Sequence, residues 1–460
     1  MSDVLGASFR DPSGFVFRHE ERIHRQVNQS YADDFEVLLS SGLYDGLVQK
    51  GWLVSHAEVE GPLSNAAPEI HYKTLLPDCV PFISHPYEWC FSQLKDAALL
   101  TLRIARAALA AGMTLKDASA YNVQFAAGRP VFIDTLSFER YREGEPWVAY
   151  RQFCQHFLAP LALMAMRDVR LSQLLRVHLD GVPLDLACSL LPARAWLRGG
   201  LLMHLRIHAG FQQRHAASGG ARRARPLSRQ AFDNLLVSLQ AVVRKLDWVP
   251  EDSEWAAYTE GDSYEADALA HKQRLVEGHL AEVAPRAVWD LGANVGVYSR
   301  LAASADADVI SFDADPACVE QNYRLVRESR EPRILPLLLD LTNPSPAIGW
   351  ANSERETIAS RARPDLVLAL ALVHHLAISN NVPLREIAAA LADLADELVI
   401  EFVPKSDAKV ETLLATRRDV FSEYTAEGFE AAFVERYDIL ARDSIEGSER
   451  TLYRMRAKVG

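Results

Sequence analysis

From residue 264 onward the chain repeats one pattern: a short apolar run followed by a stretch of helical periodicity. The runs are Ala287-Val-Trp-Asp290, Val309-Ile-Ser-Phe-Asp313, Ile334 to Leu339, Asp365 to Ala371 and Glu397 to Phe402. Strands separated by helices pair in parallel, because a parallel neighbour is reached only by a crossover, and the crossover helices cover both faces of the sheet. The pattern predicts an α/β domain with a doubly wound, Rossmann-like sheet. Its end is different. Tyr437 to Ile445 and Thr451 to Met455 are separated only by Glu446-Gly-Ser-Glu-Arg450, a spacer that suits a hairpin and not a crossover. A reversed last strand is therefore expected.

A chain of 460 residues exceeds what one core holds, so a second domain is expected ahead of this sheet. The stretch His215-Ala-Ala-Ser-Gly-Gly-Ala-Arg-Arg-Ala-Arg-Pro226 builds no periodic face and reads as a boundary. The division expected is an N-terminal domain over 1–225, a connecting helix and linker over 226–254, and the α/β domain over 255–460. Phe153 to Met166 and Leu184 to His208 are apolar and helical in pattern, so the first domain should end in helices. The five cysteines form no C-x-x-C pair, which gives no support to a zinc site or a disulfide framework. No apolar stretch is long enough to span a bilayer and no signal-like segment opens the chain, so a cytoplasmic location is expected.

A net charge of -12 argues against a nucleic-acid partner, since neutralising phosphates supplies most of that affinity. The charge is unevenly spread. Between Leu186 and Phe232 there is no Asp or Glu, while Arg194, Arg198, Arg206, Arg214, Arg222, Arg223, Arg225 and Arg229 fall inside, a segment suited to an anionic acceptor or to a solvated linker.

Ligands of open α/β sheets sit at the carboxyl ends of the strands. The first strand runs into Asp290-Leu-Gly292-Ala-Asn294-Val-Gly296, where the glycines let the backbone turn and approach a ligand closely. Asn294 stands where a dinucleotide fingerprint has a glycine, and Asp290 would repel a pyrophosphate. Asn tolerates a left-handed backbone, so the turn survives the replacement. Asp313 ends the second strand, where a carboxylate can accept from ribose hydroxyls. Asp340 follows the third, where one can accept from an adenine amino group. Acids at successive strand ends beside a glycine loop predict an adenosine-type ligand without a pyrophosphate.

Asp290 to Gly296, Asp313, Asp340 and Leu372-Val-His-His-Leu376 together resemble the ordered motifs of class I S-adenosylmethionine-dependent methyltransferases, over residues 255 to 460. Asn294 is the visible departure in the loop. The segments Ser84-His-Pro-Tyr-Glu-Trp89, Asp117-Ala-Ser-Ala-Tyr-Asn-Val-Gln-Phe125 and Glu401-Phe-Val-Pro-Lys-Ser-Asp407 are similar to a bacterial group of nodulation-associated methyltransferases. That resemblance implies S-adenosyl-L-methionine as cofactor and a glycan or small molecule as methyl acceptor. It also makes His374, His375 and Glu401, placed after the fourth and fifth strands, the candidates for orienting or deprotonating the acceptor. Tyr264 and Lys272, on the helix before the first strand, are further candidates for cofactor contact.

In the first domain, Asp117, Asn122 and Asp134 follow a spacing that resembles protein-kinase-like folds, in which the first acid is a base and the other two residues hold metal around a triphosphate. The implied domain is α+β and kinase-like, with Asp117 catalytic and Asn122 and Asp134 metal ligands if it binds Mg-ATP. Lys73 is the lysine available to such a site, and no glycine-rich loop is visible. Three rival readings stand beside methyl transfer to a small molecule: a bifunctional methyltransferase and phosphotransferase, an RNA methyltransferase, and a non-catalytic binding protein.

Overall fold

The computed structural model describes residues 3–64, 66–207, 227–250, 266–415 and 418–458. The chain forms two compact units: residues 1–249 with 346–356, and residues 250–345 with 357–460. Among the described residues no helix is long and apolar enough to cross a membrane, and the cysteines are free thiols. Tyr264, the boundary proposed at 215–226 and the arginines from 214 to 225 lie outside the described residues.

The first unit opens with a five-stranded antiparallel sheet of β1 (Asp3–Val4), β2 (Gly14–His19), β3 (Arg22–Asn28), β4 (His56–Val59) and β5 (His71–Pro77), in the order β1-β2-β3-β5-β4. Alternate residues of β3 and β5 face inward, and Val27 and Leu75 pack there with Tyr31 and Phe35 of the helical stretch that follows β3, and with Leu136. Helix Phe91–Ala110 carries Leu94, Ala97, Ala98, Leu102, Ala105 and Ala108 at helical spacing, all buried. It leads into short strands β6 (Met113–Leu115), β7 (Val123–Ala126), β8 (Arg129–Phe132) and β9 (Phe138–Arg140), paired β6 with β9 and β7 with β8.

The unit does end in helices, but the stretch expected over Leu184 to His208 is broken into Leu184–Leu190, a 3-10 turn and a short π-helical piece. The breaks fall at Leu191-Pro192 and at Arg198, where the backbone is extended. Helix Arg229–Lys245, expected as a connector, belongs to the first unit. Ser228 caps its N-terminus by accepting from Ala231 N–H at 3.2 Å, and Arg106 pairs with Asp233 at 2.8 Å on its side. Residues 346–356 also belong to this unit, although the sequence pattern assigned them to the α/β domain. A strap of 3-10 turn and bridge has no periodicity to announce where it packs.

The second unit is a seven-stranded sheet of β10 (Ala287–Leu291), β11 (Asp308–Asp313), β12 (Ile334–Leu338), β13 (Leu366–Ala369), β14 (Glu397–Phe402), β15 (Tyr437–Ser444) and β16 (Thr451–Ala457). Its order is β12-β11-β10-β13-β14-β16-β15. The strands from β12 to β14 are parallel, and β16 runs antiparallel to both β14 and β15, the expected reversed last strand. The order reverses between β10 and β13, so the loops after these two strands flank the crevice that such sheets use for ligands. The centre is dry: Val288, Leu366, Leu368, Val399 and Leu452 are all buried in one cluster.

Leu368 lies in the central strand with no exposed surface. Leu368→Ala is expected to cost about 2–5 kcal/mol, read by calorimetry as a lower midpoint for one of the unfolding transitions.

Candidate functional site

The loop after β10 turns through three left-handed residues, Gly292 (φ 74°), Asn294 (φ 50°) and Gly296 (φ 81°). A Cβ on Gly296 would stand 2.6 Å from Asn322 Nδ2 and 2.8 Å from Arg300 Nη1, so this position takes glycine for space as well as for φ. Asn294 adopts the conformation that its side chain tolerates best after glycine, which explains how the loop keeps its turn.

Asn294 N–H donates to Asp313 Oδ2 at 2.8 Å, and Asp315 N–H donates to Asp313 Oδ1 at 2.8 Å. The end of β11 is thereby tied to the glycine loop. Burial pushes the Asp313 carboxyl up to about 6, against the opposing pull of those backbone donors. Beside it, Asp315 caps helix Pro316–Ser329 by accepting from Ala317 N–H at 2.7 Å. Asp290 is buried and its Oδ2 accepts from Ser299 Oγ at 2.6 Å, which in turn accepts from Ser311 Oγ at 2.5 Å. Asp340 is exposed after β12 and organises its own turn, accepting from Thr342 N–H at 2.8 Å and Thr342 Oγ1 at 2.6 Å.

After β13, Ala371 takes φ 49°, a backbone that a non-glycine residue adopts at a cost of about 1–3 kcal/mol. The chain then passes through Leu372-Val-His374 into a π-helical turn, His375–Ser379. The rings of His374 and His375 lie 4.1 Å apart. His374 is buried, and its Nδ1 has no hydrogen-bond partner among the described residues. Burial first, then His375 and Arg450, hold His374 well below the usual imidazole range. Burial lowers His375 to about 4. Both rings are neutral near pH 7 and able to accept a hydrogen bond.

Glu401, at the end of β14, is fully buried, as is Lys272, whose Nζ lies 2.9 Å from Glu401 Oε2 and 4.6 Å from the centre of the Tyr298 ring. Oε2 also accepts from Ala371 N–H at 2.8 Å, and Arg450 Nη1 lies 3.4 Å from Oε1. Arg450 Nε donates to Asp407 Oδ2 at 2.7 Å. Glu401 thus faces two buried cations and one backbone amide. Arg450, which falls in the turn expected between the last strands, was not visible as a site residue, because nothing local marks a turn arginine as buried.

In the first unit, Asp117, Asn122 and Asp134 do come together. Asp117 accepts from Ser119 N–H at 2.8 Å, and burial first, then Asp134, raise its carboxyl. Asn122 Nδ2 donates to Ser137 Oγ at 3.1 Å, and Ser137 Oγ donates to Asp134 Oδ2 at 2.5 Å. Asp134 Oδ1 pairs with Arg25 Nη1 at 2.5 Å. The positive charge that a divalent cation would bring to Asp134 is already supplied by Arg25, and among the described residues no cluster of His, Cys, Asp and Glu is arranged to hold a metal. The residues do not fit Mg-ATP through Asp134. Lys73 does not reach this cluster but pairs at the surface with Glu58 at 2.7 Å. Arg25 gave no signal in the sequence, since an arginine on a strand beside other polar residues reads as solvated.

A doubly wound sheet with a reversed last strand, a left-handed glycine loop after its first strand and an acid at the end of its second is the arrangement of the class I Rossmann-like methyltransferase fold. The chain is 38% identical over 457 residues to the nodulation protein NoeA of Rhizobium meliloti (strain 1021), which covers 98% of this chain and 95% of the relative. It belongs to the NoeA family. No family model matches the chain. Similar solved structures include the N-methyltransferase NodS from Bradyrhizobium japonicum WM9 with S-adenosyl-L-homocysteine, at 15% identity and TM-score 0.32, covering 45% of this chain and 94% of that one. Another is the magnesium protoporphyrin IX methyltransferase from Synechocystis PCC 6803 with bound SAM, at 15% identity and TM-score 0.28, covering 46% of this chain and 87% of that one.

The loop conformation makes a direct test possible. Asn294→Gly should fold with little change, whereas Asn294→Val, a β-branched residue forced to positive φ, should lower stability by about 1–3 kcal/mol in calorimetry.

Proposed function

We propose that this protein transfers a methyl group from S-adenosyl-L-methionine to a small-molecule or glycan acceptor. The observation that carries the reading is the bond from Asn294 N–H to Asp313, which joins the left-handed loop of β10 to the acid of β11 in one ligand-facing unit. When bound, S-adenosylmethionine brings a methyl group already activated by its sulfonium, which leaves the protein mainly to align the acceptor and handle its proton. Asp313 is the residue to accept from the ribose hydroxyls and Asp340 from the adenine amino group. The backbone from Gly292 to Gly296 forms the close wall, and Asp290, its Oδ2 held by Ser299, stands at the start of that loop.

His374 and His375, neutral at physiological pH, would accept a hydrogen bond from an acceptor hydroxyl or amine and turn its lone pair toward the methyl group. A ring as weakly basic as His375 suits orientation and shared protons better than full proton removal. Lys272 is assigned to Glu401 and not to the cofactor. For the first unit we propose a kinase-like domain that does not transfer phosphate, a reading supported by the Arg25 to Asp134 pair. The basic residues between Arg194 and Arg229 suit an anionic group on that acceptor.

S-adenosylhomocysteine should raise the unfolding midpoint of the full chain, and Mg-ATP should not. No shift with the first ligand would refute the cofactor assignment, and a shift with the second would restore the phosphotransferase reading. Radiolabelled S-adenosylmethionine incubated with fractionated cell extract should mark a small molecule or glycan; label in RNA would redirect the acceptor, and cofactor binding without any transfer would indicate a binding protein.

Burial pushes the Asp313 carboxyl up to about 6, and the ligand's hydroxyls donate more strongly to its ionised form than to its neutral one. Affinity is therefore full above that pH and weakens as pH falls through it. S-adenosylhomocysteine should bind roughly tenfold more weakly at about pH 5 than at about pH 7.5, measured by calorimetric titration, and Asp313→Asn should flatten the dependence.

A further inference from the structure

We infer that Glu401 is a positioning residue and not a base: with Lys272 and Arg450 it forms a buried clamp that holds the His374 loop in its left-handed entry. The inference rests on the methyl-transfer reading for its consequence in turnover, but its geometry stands apart from it.

Glu401 offers two oxygens, and the surrounding protein uses both. Oε2 takes the ammonium of Lys272 at 2.9 Å and the amide of Ala371 at 2.8 Å, while Oε1 faces Arg450 Nη1 at 3.4 Å. A fully buried carboxylate with both oxygens turned to the protein's own donors does not face a methyl acceptor, which removes it from general-base work. What it does instead is hold one peptide. Ala371 sits at φ 49°, a conformation that the chain relaxes from unless something retains it. The retaining contact is a charge-assisted hydrogen bond in a dry setting, the kind that is short and strong. The next residues are Leu372, Val373, His374 and His375, so the direction of the peptide at Ala371 sets where the two imidazoles go.

The cations are what make the clamp persist. A lone buried carboxylate would protonate or draw in water, whereas one paired with Lys272 stays ionised and stays put. Lys272 comes from helix Ala266–Val283, which precedes β10, and Arg450 from the turn before the reversed strand β16. Arg450 is itself fixed by Asp407 at 2.7 Å. The helix ahead of the sheet and the hairpin that closes it thus converge on the loop that carries the histidines.

The test separates the hydrogen bond from the charge. Lys272→Met/Glu401→Gln removes the ion pair yet keeps a carbonyl oxygen for Ala371 N–H; Lys272→Met/Glu401→Leu removes both. Amide exchange followed by mass spectrometry on the full chain should show the segment 371–375 exchanging at least about tenfold faster in the Leu variant than in the Gln variant. Segments in β10 and β13 should exchange alike in both. In the labelled-extract assay the Leu variant should transfer at least about tenfold more slowly than the Gln variant, with the S-adenosylmethionine KM within about twofold.

Equal protection of 371–375 in the two variants would overturn the clamp, as would equal transfer rates. Should the Leu variant fail to fold, the Gln variant compared with the wild type carries the decision: it keeps a carbonyl oxygen for Ala371 N–H and leaves no lone buried charge, so protection of 371–375 must persist, and its loss would overturn the inference. S-adenosylhomocysteine is titrated into the wild-type chain in parallel. If it does not bind while the exchange difference holds, the cofactor reading fails and the clamp stands.

Discussion

A parallel strand cannot turn straight back on itself. Every connection in the second unit, up to the last hairpin, must cross the sheet, and this puts the ends of β10, β11, β12, β13 and β14 on one edge. All the site residues of this unit depend on that constraint. Asp290, Asp313, Asp340, His374 and Glu401 are far apart in sequence and come to the same edge of the sheet because each follows or ends a strand that points the same way. The hairpin of β15 and β16 breaks the rule once, and the break brings the Arg450 turn back to Glu401.

Burial then sorts these residues into different kinds of work. Burial raises the Asp313 carboxyl pKa against the pull of its backbone amide partners, whereas Glu401 faces two cations and an amide. The same residue class thus meets backbone amides at one strand end and two cations at another. His374 and His375 are driven to the neutral form by burial alone in the main, which makes them hydrogen-bond acceptors over the working pH range. Strain follows the same division. The left-handed residues after β10 are glycine and asparagine and cost little, while Ala371 after β13 is held by Glu401.

In the first unit, residues set at a fixed spacing meet partners that come from elsewhere in the chain. Asp117, Asn122 and Asp134 meet as their spacing implied, but Arg25 occupies Asp134 and Ser137 links Asp134 to Asn122. Residues 346–356 add a second departure. Arg355 lies over the Tyr121 ring at 4.0 Å, and Glu354 pairs with Arg10 at 2.5 Å, so a strap spliced between β12 and β13 packs on the first unit. Contacts of this kind join residues hundreds of positions apart and leave no periodic trace.

Much of the second unit was legible in the order of residues. Apolar runs of strand length, helical spacing between them and a spacer too short for a crossover determine a parallel sheet with a reversed last strand, because hydrogen-bonding geometry allows little else. Gly292, Asn294 and Gly296 likewise announce a left-handed turn, since φ is a local property of each residue. Partnership is not local. Whether Lys272 meets a cofactor or a carboxylate, whether Glu401 is a base or an anchor, and whether Asp134 faces a metal or Arg25 depend on which side chains share a desolvated space. Only tertiary packing decides that, because the energy of a charge is set by its surroundings in three dimensions and not by its neighbours along the chain.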